Sequence, residues 1–81
     1  MNQEIQKELD KILPVVVRVH GEHHPELSQV AALYTQLKAA PTPEIAAQLR
    51  EITCNFVPPE DACPTFRKTY EDLAQLTREI S

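Results

Sequence analysis

Apolar residues recur at helical spacing along the first segment of this chain. Steps of four, three, four and three residues place one apolar stripe on a single helix, formed by Ile5, Leu9, Ile12, Val16 and Val19. We expect this helix to span residues 2–20, with a local distortion where Pro14 removes one backbone hydrogen bond. The run Val15-Val16-Val17 leaves a β-strand as the alternative for the middle of the segment, although the flanking periodicity favours the helix.

Three further segments show the same periodicity between proline-rich connections. They predict helices at about 25–39, 43–54 and 61–80. Their inward stripes comprise Leu27, Val30, Ala31, Tyr34 and Leu37 in the second helix, Ile45, Leu49 and Ile52 in the third, and Phe66, Tyr70, Leu73, Leu76 and Ile80 in the fourth. Two starts remain open for the fourth helix, because either Asp61 caps it with Pro64 in its first turn or Cys63 precedes Pro64 at its first position.

Four amphipathic helices joined by short connections predict an all-α fold. We expect a single domain over residues 1–81, arranged as a short up-down-up-down antiparallel four-helix bundle. A chain of this length buries only about 60% of its unfolded surface, so it has little room for a substrate cavity. Acidic residues on the first and last helices, Glu8 and Asp72 among them, are spaced as solvated faces.

Charge and composition exclude several classes of partner. The net charge is −4, and the eight Lys and Arg residues are scattered along the chain, so we expect no nucleic-acid binding. The longest apolar stretch, 12–17, is too short to span a bilayer, and the N-terminal residues lack the pattern of a signal peptide. We therefore expect a cytoplasmic protein with no membrane association, in which the two cysteines are free thiols.

Residues 20–27 hold all three histidines and the only glycine, between two helical segments. This stretch predicts a helix end, a tight corner and a new helix. His24 fits the N-cap and Pro25 the first position of the second helix, where a missing N–H group costs nothing. His20 ends the first helix, where the helix dipole favours a protonated imidazole.

A metal site at this corner is the sharpest chemical hypothesis. In an antiparallel bundle the corner shares one end with the connection before the fourth helix, so His20, His23 and His24 could approach Cys63 there, and Cys54 as well. Such imidazole and thiol groups suit a single zinc or iron ion. The competing interpretation is that the histidines cap helices and the cysteines pack as small buried side chains, because adjacent histidines diverge and no paired ligand spacing occurs. Cys63 near a helix N-terminus would also be a candidate reactive thiol.

Two blocks of the chain resemble one known family. Arg18-Val19-His20-Gly21 followed by His24-Pro25-Glu26-Leu27 is similar to the first corner of the hemerythrin-like iron-sulfur cluster repair di-iron proteins, the RIC family. A second block is similar to that family's later segment, and it comprises Leu49 to Thr53, Pro58 to Cys63, Tyr70 and Leu73. The resemblance implies a four-helix bundle that holds two irons and acts in repair under oxidative or nitrosative stress.

The di-iron ligand motifs of that family have no counterpart here. No histidine follows His24, and the family's ligand positions at the starts of its first and third helices and the ends of its second and fourth are missing. We therefore expect no di-iron centre and no enzyme activity. The sequence indicates a small binding or regulatory module related to that family. The alternative is a mononuclear metal-binding or redox module that uses His20, His24 and Cys63.

The missing ligand positions all fall at one end of an antiparallel bundle. Relative to that family the four helices are shorter at this end, so we expect a partner to cover their exposed ends. We expect a homodimer, with another protein as the alternative partner. The candidate interface residues nearest that end are Ile5, Leu37, Ile45 and Ile80.

Overall fold

The computed structural model describes residues 2–80 and consists of four helices. Helix α1 spans Gln3–His20, α2 spans Glu26–Ala39, α3 spans Pro43–Ile52 and α4 spans Pro64–Ile80. Helix α1 packs against α2 and α4, and α3 packs against the same two helices, so the four form a closed ring. The all-α prediction is confirmed, and the ring of contacts is that of a four-helix bundle.

Side-chain contacts show the relative direction of the first helix and two others. His20, at the end of α1, meets Cys63 just before α4, whereas Glu8 near the start of α1 meets Lys68 farther along α4. The Tyr34 hydroxyl late in α2 donates to the carbonyl of Gln6 early in α1. Helix α1 therefore runs opposite to α4 and to α2. The complete up-down-up-down order of the bundle stays a prediction.

Local sequence signals account for the helix starts. The Asn2 side chain caps α1 by accepting from the N–H groups of Glu4 and Ile5, at 2.9 and 3.2 Å. Thr42 caps α3 by accepting from the Ile45 N–H at 3.3 Å, with proline at the first helical position. Pro14 lies inside α1 without ending it.

No helix within residues 2–80 is long and apolar enough to cross a membrane.

The core confirms most of the predicted stripes but corrects the one on α1. Helix α1 buries Leu9, Leu13 and Val16, while Val19 is 62% exposed. The buried positions step by four and three, and one further step of four reaches His20 rather than Val19. The inward face of α1 thus ends on an imidazole. The other buried apolar residues are Leu27, Val30, Tyr34, Leu37, Ala46, Leu49, Ala62, Phe66, Tyr70, Leu73 and Leu76.

The chain closes a compact core by itself. Its accessible surface is 4915 Å², close to the roughly 4,900 Å² that the scaling of surface with mass gives for a folded monomer of this size. Leu37 is fully buried, so it packs inside the chain and offers no surface to a partner, which corrects its place among the interface candidates. Ile5, Ile45 and Ile80 are partly buried against the core.

A left-handed turn ends α3 earlier than its periodicity predicts. The helix stops at Ile52 instead of residue 54, and Cys54, Asn55 and Phe56 follow with φ angles of 53°, 65° and 62°. Thr53 supports this turn, because its hydroxyl donates to the Leu49 carbonyl at 2.7 Å and accepts from the Phe56 N–H at 3.0 Å. Each side chain with a Cβ costs about 1–2 kcal/mol in this conformation.

Replacement of Cys54 by glycine should therefore stabilise the protein. Cys54→Gly removes the Cβ that makes a positive φ unfavourable, and we expect a gain of about 1 kcal/mol, since the greater freedom of glycine in the unfolded chain offsets part of the relief. Thermal unfolding should show a rise of about 4–8 °C in Tm. Cys54→Ala is the matched control, because it keeps the Cβ. Equal Tm values for the two variants would contradict a strained turn.

Candidate functional site

The two connections predicted to meet do lie at the same end of the molecule. We call this region the corner end, and it comprises residues 20–25 and 61–66. At its centre Phe66, in the first turn of α4, is fully buried. Its ring makes edge contacts with His20 at 5.0 Å, His24 at 5.5 Å and Tyr70 at 5.2 Å between ring centroids. One aromatic side chain therefore positions both imidazoles.

His20 and Cys63 form a side-chain pair on this support. The His20 Nε2 atom lies 3.2 Å from the Cys63 sulfur. The same sulfur accepts from the backbone N–H of Phe66 at 3.4 Å. Helix α4 begins at Pro64, so Cys63 directly precedes the helix, as in the second of the two predicted starts. The sulfur thus occupies a helix N-terminal capping position beside an imidazole.

This arrangement has the parts of a reactive thiol. An imidazole within hydrogen-bond distance can accept the thiol proton. The N–H groups and the dipole at a helix N-terminus stabilise the negative charge that remains on sulfur. Cys63 is only partly buried, so a small reagent can reach it, whereas Cys54 lies exposed in the left-handed turn. Both are free thiols.

His24 does not cap α2, contrary to the prediction. The helix begins at Glu26, and Pro25 before it already has helical angles, with φ −62° and ψ −20° and no side-chain cap. The His24 ring turns instead to the other connection, where its Nε2 lies 3.1 Å from both carboxylate oxygens of Asp61. Its Nδ1 lies 3.5 Å from Glu26. An anionic partner on a neighbouring connection outweighs the local cap.

The His24–Asp61 pair favours the charged form of both groups. The hydrogen bond with Asp61 is the main cause that raises the pKa of His24, and Glu26 adds to it. The same hydrogen bond lowers the pKa of Asp61. Both side chains are near solvent, so the pair links the two connections but contributes little stability by itself.

The four predicted metal ligands separate into different surroundings. His20 and Cys63 come together, His24 pairs with Asp61, and His23 points to solvent. Within residues 2–80 no three His, Cys, Asp or Glu side chains are grouped so that they could hold a metal ion. The divergence of adjacent histidines around the tight corner is what separates them.

A second polar cluster lies away from the corner end. The sequence gives only a weak signal of this cluster. Asp72, which periodicity predicts on a solvated face, is 2% exposed and in contact with Lys68 and Glu8. Asp72 follows Thr69 by three residues and precedes Leu76 by four, so it shares their inward face. Tyr34 and Tyr70 are core residues, as predicted.

No protein-family model, curated protein or solved structure matches this chain. The resemblance to the iron-sulfur cluster repair family therefore rests on the two sequence blocks alone.

Loss of the Asp61 carboxylate should lower the pKa of His24. In Asp61→Asn the main cause of the upward shift is gone, so the pKa of His24 should move toward the ordinary histidine value, as read from a ¹H–¹³C NMR titration of its ring. In the wild type, the stability from this pair is complete below the unfolded pKa of about 6.5 and is lost as pH rises through the higher folded pKa. Glu60→Gln is the control, and an unchanged His24 pKa in Asp61→Asn would refute the pairing.

Proposed function

We propose that this chain is a small helical regulatory module that responds to oxidants through the Cys63 thiol. It is not an enzyme. It is a relative of the iron-sulfur cluster repair proteins that has no di-iron centre of its own. The observation that carries the proposal is the contact of 3.2 Å between His20 Nε2 and Cys63 Sγ at the start of α4.

The residues of the resemblance and the residues of this contact coincide. His20 belongs to the first block that resembles the repair family, and Cys63 belongs to the second. The fold brings these two blocks to one end of the bundle, over the Phe66 ring. A role in the cytoplasm fits this chemistry, because reducing conditions there keep cysteines as free thiols until an oxidant appears.

The reaction of the thiol with a peroxide needs no other group of the chain. His20 accepts the Cys63 proton, and the sulfur electron pair attacks one peroxide oxygen. The O–O bond breaks, the sulfur is oxidised to a sulfenic acid and the other oxygen leaves as hydroxide, which takes the proton from His20 to become water. The added oxygen enlarges a side chain that already contacts His20 and the Phe66 N–H. Oxidation therefore loosens the corner end, which is the regulatory output.

Cys63 should react with hydrogen peroxide faster than Cys54. Cys54→Ser and Cys63→Ser each leave one thiol, and trapping of sulfenic acid at pH 7 followed by mass spectrometry gives the two rates. We expect Cys63 to react about tenfold faster or more, because the His20 imidazole and the N–H group of Phe66 both contact its sulfur. In the Cys54→Ser background, His20→Gln should remove most of this advantage, because an amide cannot accept the proton.

His23→Gln in the same background is the matched control, since His23 is an exposed histidine of the same corner whose ring takes no part in the contact between His20 and Cys63. It should leave the rate unchanged. Equal rates for the two thiols, or equal rates with glutamine and histidine at position 20, would overturn the redox role.

A mononuclear metal site is the second candidate, and the same contact favours it. The nitrogen–sulfur separation of 3.2 Å would have to lengthen only to roughly 3.5 Å for the two atoms to share one tetrahedral zinc, with bonds of about 2.0 and 2.3 Å. His20 and Cys63 would be two of the ligands, and His24 or His23 would have to turn to supply a third. This candidate shares the residues of the redox proposal but not its reaction.

Elemental analysis of the purified protein, combined with its native mass, tests the second candidate and the homodimer. If the redox proposal holds, we expect neither zinc nor iron near one per chain. One metal per chain that is lost in Cys63→Ser and His20→Ala would support the metal site instead. The homodimer stays a prediction, with Ile5, Ile45 and Ile80 as its candidate surface. Charged substitutions at Ile5 and Ile80 should lower the native mass if that surface is used.

A further inference from the structure

Two carboxyl groups meet at the interface of α1 and α4, away from the corner end. Glu8 lies on α1 and Asp72 on α4, and Asp72 is almost completely buried. Lys68, one turn before Asp72 on α4, reaches both of them, with its ammonium 3.0 Å from Asp72 Oδ1 and 3.5 Å from Glu8 Oε1. One cation therefore serves two acidic groups.

Two buried oxygens of this cluster lack a hydrogen-bond donor. Glu8 Oε1 lies at ion-pair distance from the Lys68 ammonium, 3.5 Å, but with both carboxyl groups ionised neither it nor Asp72 Oδ2 accepts a hydrogen bond from a residue of the described range 2–80. A buried carboxylate oxygen without a donor is costly. Two carboxylates side by side add repulsion, which one lysine only partly offsets. A single proton on one of the two groups removes both problems, because it turns an acceptor into a donor aimed at the other carboxylate.

We propose that Glu8 and Asp72 share one proton and that this proton acts as a latch between α1 and α4. With the proton in place, the carboxyl pair forms a hydrogen bond across the interface and Lys68 neutralises the remaining charge. Without it, two negative charges face each other and the contact between the helices weakens. The protein is therefore held together more tightly under mildly acidic conditions than under mildly alkaline ones.

The charges around the pair agree with this assignment. Burial, as the larger cause, and the neighbouring Glu8 together raise the pKa of Asp72 to about 6. The pKa of Glu8 is lowered, first by the hydrogen bond from Asp72, so the proton resides mainly on Asp72. Lys68 opposes the rise in the pKa of Asp72, and Lys11 of α1 acts on Glu8 in the same sense as Lys68.

Other polar groups near the interface do not donate to Glu8 Oε1 or Asp72 Oδ2. Asn2, Glu4 and Gln75 line the shallow depression beside the pair. On the side of α4 that faces α3, Arg50 lies in a separate depression with Ala74, Thr77 and Arg78.

The sign of the pH dependence follows from the raised pKa of Asp72. Between pH 3.8 and about 6 the folded chain holds a proton that the unfolded chain has released. The resulting stability is complete below the unfolded pKa and is lost as pH rises through about 6. Between pH 7.5 and pH 5, this group alone should lower the unfolding equilibrium constant about tenfold.

Urea unfolding at pH 5 and pH 7.5 tests the latch. Because His24 titrates in the same direction, the comparison is made in a His24→Gln background. We expect the background protein to be more stable at pH 5, with about a tenfold smaller unfolding constant. Asp72→Asn and Glu8→Gln place an amide donor in the pair, so each should abolish this difference and raise the stability at pH 7.5 toward the value at pH 5. Asp10→Asn is the matched control, because Asp10 pairs with Lys38 and Tyr34 and should keep the pH difference.

A direct titration of Asp72 in the wild type tests the same proposal even if the variants fail to fold. In the wild type, ¹³C NMR of the side-chain carboxyl carbons should show Asp72 titrating near pH 6. An ordinary Asp72 titration near pH 4 would overturn the proposal, as would a full pH difference retained in a folded Asp72→Asn variant. Either result can occur with Cys63 still more reactive than Cys54, so failure of the latch is distinguishable from failure of the redox role.

Discussion

The burial of Phe66 is the constraint on which the corner end depends. Its side chain has no exposed surface, and edge contacts with His20, His24 and Tyr70 surround it. Because Phe66 lies only two residues after Pro64, the same packing that buries it also fixes the start of α4. Cys63 is therefore held where its sulfur meets both a backbone N–H group and the imidazole of His20. Removal of the ring would leave the two connections without a common support.

The interface between α1 and α4 carries both chemical features of the molecule. His20 ends the inward face of α1 and meets Cys63, while Glu8 lies earlier on the same helix and meets the Asp72–Lys68 pair. Each feature places an ionisable group of α1 against one on α4 or on the residue directly before it. In the two proposals, oxidation loosens one end of this interface and loss of a proton loosens the other.

Periodicity predicted the four helices because local spacing and proline positions determine where helices begin and end. It predicted the stripes of α2 and α4 for the same reason. It placed Val19 inward on α1 in error, since the buried steps of four and three lead to His20 once Leu13 is included. Periodicity also placed Asp72 in solvent, because a rule that sorts residues by polarity cannot identify a carboxyl whose partners come from another helix.

The pairings of the site required tertiary structure. The position of His24 was predicted from local capping rules, but its ring pairs with Asp61, which lies far along the chain. The meeting of His20 with Cys63 was predicted only as one member of a larger metal cluster. In the structure that contact is present, but the other predicted metal ligands lie apart from it, because neighbouring histidines at a tight corner point in different directions. The order of the helices along the chain was enough to predict that the two connections lie at one end. Which side chains pair there depends on packing against Phe66.

The nuclear Overhauser effects of the Phe66 ring test the central role of this side chain most directly. We predict strong cross-peaks from the Phe66 ring protons to the ring protons of both His20 and His24, together with cross-peaks from the His20 ring to the Cys63 β-protons. These distances depend on the packing alone and require neither an oxidant nor a change of pH. Cross-peaks to neither histidine, in a protein that is otherwise folded and helical, would contradict the corner end and the functional role assigned to Cys63.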